Sequence, residues 1–160
     1  MNTVYLVDSS AWVEYLRKTG SETHVLVREL IEDGATLATT EPVAAEILSG
    51  AKSSTELQQL ERLTDGLIQL SLDNRLDFHH SAGIYREARS RGKTIRKLYD
   101  CLIAAVALRT DAVLVHCDRD FDHLAEVLPR LRVQRHDQDR ARRGGRPSPA
   151  PDPDQPTLRS

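Results

Sequence analysis

Short apolar runs alternate along this chain with longer stretches in which apolar residues recur at helical spacing. The short runs are typical of buried strands, and the longer patterns are typical of helices. Strands are predicted at Val4–Val7, Thr36–Ala38, Leu67–Leu72, Val113–Asp118 and Leu131–Arg135. Helices are predicted at Ser10–Lys18, Glu22–Ile31, Pro42–Ser49, Ser54–Thr64, Asp73–Arg91, Leu98–Arg109 and Arg119–Leu128. This alternation predicts an α/β fold, a three-layer α/β/α domain with a central, mainly parallel sheet.

The composition fits one folded domain followed by a segment of a different kind. The chain has 160 residues, of which 39% are hydrophobic and 29% are charged, as in ordinary globular domains. Residues 137–160 contain five of the seven prolines and no apolar periodicity. Such a composition is typical of a disordered chain. We therefore predict a folded domain at 1–136 and a disordered tail rich in Pro and Arg at 137–160.

Charge and hydropathy narrow the range of functions. The formal net charge is −2, so the whole chain has no positive field that would draw it to nucleic acid. The sequence has neither an apolar run of about 20 residues, which a membrane-spanning helix needs, nor a signal-type N-terminus. We expect a cytoplasmic protein with no membrane partner, in which any contact with nucleic acid uses a local basic patch.

Two aspartates follow predicted strands directly. Asp8 comes after the apolar run VYLV, and Asp118 comes after VLVHC. Ligands of open parallel sheets bind beyond the carboxyl ends of the strands, so both side chains are expected at that edge. Taken singly, each aspartate is more often a helix N-cap or a turn residue than part of a site.

Two further acids lie among apolar residues. Glu46 interrupts the apolar helix PVAAEILSG, and Asp100 opens the buried helix DCLIAAVAL. A charge that stabilises a helix N-terminus is an alternative interpretation of Asp100. If the four acids cluster, their charges repel unless a cation neutralises them. Carboxylate oxygens select Mg²⁺ or Mn²⁺ rather than zinc.

Four segments give the chain a resemblance to a known family. They are VDSSAWVEYL, TTEPVAAEILSGA, KLYDCLIAAVAL and VLVHCDRDFDHLA, in this order. Over residues 4–135 the chain resembles the PIN-domain ribonucleases, and among them the VapC toxins of toxin–antitoxin pairs. The resemblance implies that Asp8, Glu46, Asp100 and Asp118 form the acidic site, with Asp120 as a frequent fifth acid.

The resemblance also implies a function and partners. It implies a Mg²⁺- or Mn²⁺-dependent endoribonuclease in which Asp8, Asp100, Asp118 and Asp120 bind metal and Glu46 is a ligand or orients the attacking water. A cognate antitoxin and a homodimer are further implications. Two alternatives remain: a PIN-like module that binds RNA or protein without cutting it, and a housekeeping RNA-processing nuclease.

Substrate contacts are predicted from basic and hydroxyl residues near the acids. The stretch YREARSRGKTIRKLYD carries six basic residues, among them Arg96 and Lys97, just before Asp100. A basic edge beside a metal site suits RNA phosphates, although a solvated helix end explains the same run. Ser9 is a hydroxyl beside Asp8. His116 stands where many relatives have Thr or Ser, so it is either a substrate contact or a structural histidine.

Overall fold

The computed structural model describes residues 2–134, which form one parallel sheet covered by helices. The strands are β1 (Val4–Val7), β2 (Thr36–Thr39), β3 (Ile68–Gln69), β4 (Val113–Val115) and β5 (Val133–Gln134). Their order is β3-β2-β1-β4-β5, and every neighbouring pair is parallel. The predicted α/β class with a central parallel sheet is confirmed. The predicted tail at 137–160 lies outside the described residues.

The centre of the sheet brings the candidate site together. Leu6 of β1 lies opposite Ala38 of β2 and Leu114 of β4, and all three side chains are fully buried. Parallel strands that helices cover on both faces have continuous apolar sequences, and VYLV and VLV show this pattern. The carboxyl ends of β2, β1 and β4 consequently lie side by side at one edge.

The outer strand β3 is shorter than predicted. It spans two residues, because polar groups of neighbouring elements bind the backbone that follows. The N–H of Leu72 donates to Glu41 Oε2 at 2.9 Å, and the carbonyl of Ser71 accepts from Arg109 Nη2 at 2.7 Å. These bonds take the chain away from the sheet, and they are not visible in a hydrophobic pattern.

Helices lie between the strands in sequence order. They are α1 (Ser9–Leu16), α2 (Glu22–Glu32), α3 (Glu41–Ser49), α4 (Ser54–Asp65), α5 (Leu76–Ser90), α6 (Leu98–Thr110) and α7 (Arg119–Val127). All were predicted, with ends that differ by a few residues. α5 begins at Leu76, later than predicted, and Asp73 Oδ1 accepts the N–H groups of Arg75 and Leu76 in the turn that precedes it.

α6 is the buried helix that the sequence predicted. Residues 101–107 are all buried, and the helix packs against α5 and α7. Asp100 lies in its first turn, directly before this apolar run. Among residues 2–134, no helix combines the length and the hydropathy that crossing a membrane requires.

Candidate active site

Asp8 and Asp118 follow adjacent strands at the carboxyl edge of the sheet. The N–H of Asp8 donates to the Val115 carbonyl at 2.9 Å, which holds the end of β1 against β4. Each aspartate is also a helix N-cap: Asp8 Oδ2 accepts the N–H of Ser10, and Asp118 Oδ1 accepts the N–H of Asp120. Each cap uses a single carboxylate oxygen, so the capping role and a role in a site are compatible.

Ser10 contributes to this edge and was missed by the sequence analysis. Its Oγ donates to Asp8 Oδ2 at 2.5 Å and accepts the N–H of Cys117 at 3.0 Å. The hydroxyl therefore joins the end of β1 to the segment that leads from β4 to Asp118. The signal in the sequence was the pair of serines after Asp8, which an ordinary helix N-terminus explains equally well.

Glu46 extends from α3 to the same edge. Its side chain is 27% exposed, and its Oε2 accepts a hydrogen bond from Ser9 Oγ at 2.6 Å. The other oxygen, Oε1, lies 4.0 Å from Lys97 Nζ. In this structure Ser9 orients Glu46, and the predicted contacts of Ser9 and Lys97 with a substrate stay predictions.

Asp8 and Asp100 are buried carboxyl groups with raised pKa values. Their exposed fractions are 3% and 4%. Burial is the main reason that the pKa of Asp8 rises to about 6, and the charge of Glu46 adds to the shift. Burial, followed by the charges of Asp8, Asp118 and Asp120, raises the pKa of Asp100 to about 7. The acids therefore lie close enough to disfavour one another's ionised form.

One oxygen of each of these two carboxyl groups has no partner. Asp8 Oδ1 and Asp100 Oδ2 are shielded from solvent and form no hydrogen bond with any of residues 2–134. A buried carboxylate oxygen left in this state is destabilising. No three carboxylate, imidazole or thiol groups of the described chain are already arranged around an ion position. The donor chemistry fits Mg²⁺ or Mn²⁺, and the carboxylates would have to draw together around such an ion.

Arg96 and Asp120 form an ion pair beside these acids. Asp120 is 2% exposed, and its Oδ2 accepts the backbone N–H of Arg96 at 2.9 Å. Arg96 Nε lies 3.2 Å from Asp120 Oδ1, and Arg96 Nη2 donates to Asp118 Oδ1 at 2.5 Å. We predicted that Arg96 binds phosphate and that Asp120 binds metal. The structure pairs the two residues with each other, which neither spacing nor composition indicated.

His116 lies behind Asp118 and not on the surface of the site. Its side chain is fully buried, and its Nδ1 accepts the N–H of Asp118 at 3.2 Å. The ring packs against Phe121 with centroids 5.3 Å apart, and Nε2 lies 3.7 Å from Asp122 Oδ1. The prediction that His116 contacts the substrate is corrected here, because its ring is fully buried and cannot reach RNA. The structural alternative describes its placement.

Known proteins have sequences similar to that of this chain. The profile of the PIN domain matches residues 5–127. The chain belongs to the PIN-domain family. This PIN domain is 52% identical to Ribonuclease VapC11 of Mycobacterium tuberculosis over 123 residues, which cover 76% of this chain and 92% of the relative. It is 34% identical to Ribonuclease VapC51 of the same organism over 125 residues, with coverages of 77% and 86%.

Solved structures share the fold of this PIN domain. VapBC-1 from nontypeable Haemophilus influenzae superposes with a TM-score of 0.65 at 20% identity, covering 84% of this chain and 99% of that one. VapBC-5 from Mycobacterium tuberculosis, a member of the VapBC family of toxin–antitoxin systems, gives 0.57 at 19% identity, with coverages of 83% and 98%. Identities this low support the fold alone. With the sequence relatives, they confirm the resemblance to VapC-type PIN domains.

A groove with a mixed apolar and charged lining runs beside the acids of this PIN domain. Its volume is about 350 Å³, and it lies between α1, α3 and α4. Its lining includes Trp12, Val13, Leu16, Ile47 and Leu60. Val13 and Leu16 are 38% and 43% exposed. Glu46 and Lys97 also line the groove, so it is continuous with the acidic edge.

Proposed function

We propose that this PIN domain is an endoribonuclease that hydrolyses RNA phosphodiester bonds at the carboxyl edge of its sheet. The observation that carries the proposal is the pair of buried oxygens on Asp8 and Asp100 that lack a hydrogen-bond partner within residues 2–134. Asp118 and Glu46 stand within electrostatic reach of them. The 52% identity to a protein named as a ribonuclease supports the type of reaction.

We further propose that the reaction depends on Mg²⁺ or Mn²⁺. When bound, such an ion activates a water molecule, shields the phosphate and stabilises the leaving oxygen. Asp8 and Asp100 would hold it through Oδ1 and Oδ2, because the protein uses neither oxygen elsewhere among the described residues. Asp118 would contribute a third carboxylate from the adjacent strand end.

In the proposed site, Glu46 and Lys97 would contact the attacking water and the RNA. Ser9 fixes Glu46 Oε2 and leaves Oε1 to orient the attacking water or accept its proton. The Lys97 side chain is 60% exposed, and its Nζ lies 4.0 Å from Glu46 Oε1. An ammonium group in this position can bind an RNA phosphate beside the water that Glu46 orients.

We propose that the chain is the toxin of a toxin–antitoxin pair and acts in the cytoplasm. Support comes from the VapC relatives and from the fold shared with VapBC proteins. The groove at Val13 and Leu16 offers exposed apolar side chains next to Glu46, which suits an amphipathic segment of an antitoxin. A homodimer follows from the family resemblance alone. An antitoxin gene beside this one would distinguish a toxin from a housekeeping nuclease.

Cleavage of one short RNA tests the proposed reaction. The wild type should cut it in Mg²⁺ and stop when EDTA is added. Asp118→Asn keeps the size of the side chain and removes its charge, so cleavage should fall by at least about 100-fold. Asp122→Asn, in the same helix turn but outside the proposed metal set, should retain most of the activity.

Three results would contradict the proposed function or a part of it. Cleavage that persists in EDTA would show that the reaction does not need a divalent metal ion. An active Asp118→Asn variant beside an inactive Asp122→Asn variant would show that Asp118 is not part of the active site. If the folded wild type binds RNA in Mg²⁺ without cutting it, the non-catalytic binding module becomes the better account.

A further inference from the structure

Arg96 divides the acidic site into two halves that differ in charge balance. In one half, its guanidinium and backbone N–H contact Asp118 and Asp120. In the other half, Asp8 Oδ1 and Asp100 Oδ2 have no hydrogen-bond partner within the described chain. The protein therefore supplies its own cation to one half of the carboxylates that we propose bind metal.

Exposure shows which partner of the ion pair can move. The Asp120 side chain is 3% exposed and fixed inside the domain, whereas the Arg96 side chain is 63% exposed. Arg96 lies between α5 and α6, outside any helix or strand. Its guanidinium can swing into solvent without disturbing the core, so the contact with Asp118 can be broken while the fold is kept.

We propose that Arg96 is an internal cation that competes with the divalent metal ion for Asp118 and Asp120. The inference rests on the proposed metal-dependent function, and it concerns how Arg96 limits the binding of metal at that site. A carboxylate oxygen that already accepts from a guanidinium has less capacity for a metal ion, and two cations at one cluster repel. Pairing of Arg96 and binding of the metal must oppose each other by the same free energy.

Titration calorimetry with Mn²⁺ alone tests this competition. The variant Arg96→Gln keeps a polar side chain and removes the charge. It should bind Mn²⁺ at least about tenfold more tightly than the wild type, or take up a further ion, a change of about 1.4 kcal/mol for one tenfold step. The matched control is Arg91→Gln, because Arg91 loses the same charge from the same basic stretch but pairs with Glu87. Its affinity for Mn²⁺ should equal that of the wild type.

A second measurement covers the case in which Arg96→Gln does not fold. In the wild type, NMR should show that saturating Mg²⁺ shifts the Arg96 Nε–H signal towards that of a solvated guanidinium. The Nε–H of Arg109, which donates to Asp77 at 2.9 Å, should stay unchanged as an internal control. An Arg96 signal that does not respond to bound Mg²⁺ would overturn the proposal.

The outcomes separate this inference from the proposed function. If the wild type and Arg96→Gln bind Mn²⁺ equally well, or the variant binds more weakly, Arg96 is not a competitor and the metal-dependent function stands. If the variant binds and the wild type does not, the competition is supported in its strongest form. If neither binds at millimolar Mn²⁺, both the competition and the metal dependence are refuted.

Discussion

Two buried aspartates of this domain have opposite electrostatic environments. Asp77 is 1% exposed, yet Arg109 donates to both of its oxygens, from Nε at 2.9 Å and from Nη2 at 2.8 Å, and the N–H of Asp73 adds a further bond. Asp100 is 4% exposed, and its Oδ2 has no hydrogen-bond partner among residues 2–134. The two residues share a type and a degree of burial, but only one is neutralised by the protein.

The pKa values follow this difference. Burial alone would raise the pKa of Asp77, but the Arg109 hydrogen bonds, the Asp73 N–H and the charge of Arg109 hold it below its usual range. Burial and the neighbouring acids raise the pKa of Asp100 to about 7. A buried carboxylate whose oxygens all have partners has a structural role, whereas one with an unpartnered oxygen can still bind a cation.

The largest expected effect separates these two aspartates by activity. Asp100→Asn should lower RNA cleavage by at least about 100-fold, because it removes the charge of a proposed metal ligand. Its melting temperature without metal should stay equal to that of the wild type or rise, since a repelled buried charge is gone. The assay is single-turnover cleavage beside thermal unfolding. A cleavage rate close to that of the wild type would show that Asp100 is not in the site.

Asp77→Asn should have the reverse profile. It breaks a buried ion pair by removing one partner, and such changes destabilise by about 3–5 kcal/mol, or less where the remaining partner reaches solvent. Arg109 is 33% exposed, so we expect about 2–3 kcal/mol in urea unfolding. The folded fraction should cleave RNA at the rate of the wild type. Unchanged stability would mean that the pair is not structural.

The pH dependence of the metal-free protein should sharpen the comparison further. Between the usual pKa of 3.8 and the raised values of about 6 and about 7, folded Asp8 and Asp100 bind more protons than the unfolded chain does. Their contribution to stability therefore falls as the pH rises through that window. Asp77, with a lowered pKa, contributes stability that is lost as the pH falls.

Thermal unfolding in EDTA at about pH 5 and about pH 8 measures these contributions. Between these two pH values, the melting temperature of the wild type should fall by at least about 3 °C more than that of Asp100→Asn. The reason is that 1 kcal/mol of stability corresponds to a few degrees in a domain of this size. An identical change of melting temperature with pH in the two proteins would contradict the raised pKa of Asp100.

The smallest expected effect concerns Ser10, whose N–H and hydroxyl both donate hydrogen bonds to Asp8 Oδ2. Ser10→Ala should destabilise by about 1 kcal/mol, because it removes bonds to Asp8 and to the Cys117 N–H. Misplacement of Asp8 should lower cleavage by about tenfold, with a larger effect on kcat than on KM. Ser10→Thr keeps the hydroxyl and should restore both. If Thr does not restore cleavage, the hydroxyl is not what positions Asp8.

The sequence predicted those features that depend on hydrophobic pattern and topology. The apolar runs before Asp8 and Asp118 predicted two strands, and the rule for parallel sheets predicted that their ends share an edge. The apolar run after Asp100 predicted a buried helix. Each of these conclusions uses local pattern or a general rule of chain topology, so no knowledge of side-chain pairing was required.

Pairings between distant polar residues could not be predicted in the same way. Arg96 contacts acids more than 20 positions away in sequence, and Arg109 contacts Asp77 across 32 positions. Many arginines and aspartates are available, and only the folded backbone decides which of them meet. The phosphate contact of Arg96 was predicted from the basic stretch and the metal contact of Asp120 from the family resemblance, whereas the structure pairs the two residues with each other.

The position of a bound metal ion tests the central claim most directly. Crystals of the wild type should be soaked in Mn²⁺ and measured by anomalous scattering at the manganese absorption edge. We predict a peak at bonding distance, about 2.0–2.6 Å, from Asp8 Oδ1 and Asp100 Oδ2. We predict no peak beside Asp77, because both of its oxygens already accept hydrogen bonds from Arg109. A fully occupied manganese site elsewhere, with Asp8 Oδ1 and Asp100 Oδ2 still free of metal, would contradict the central claim.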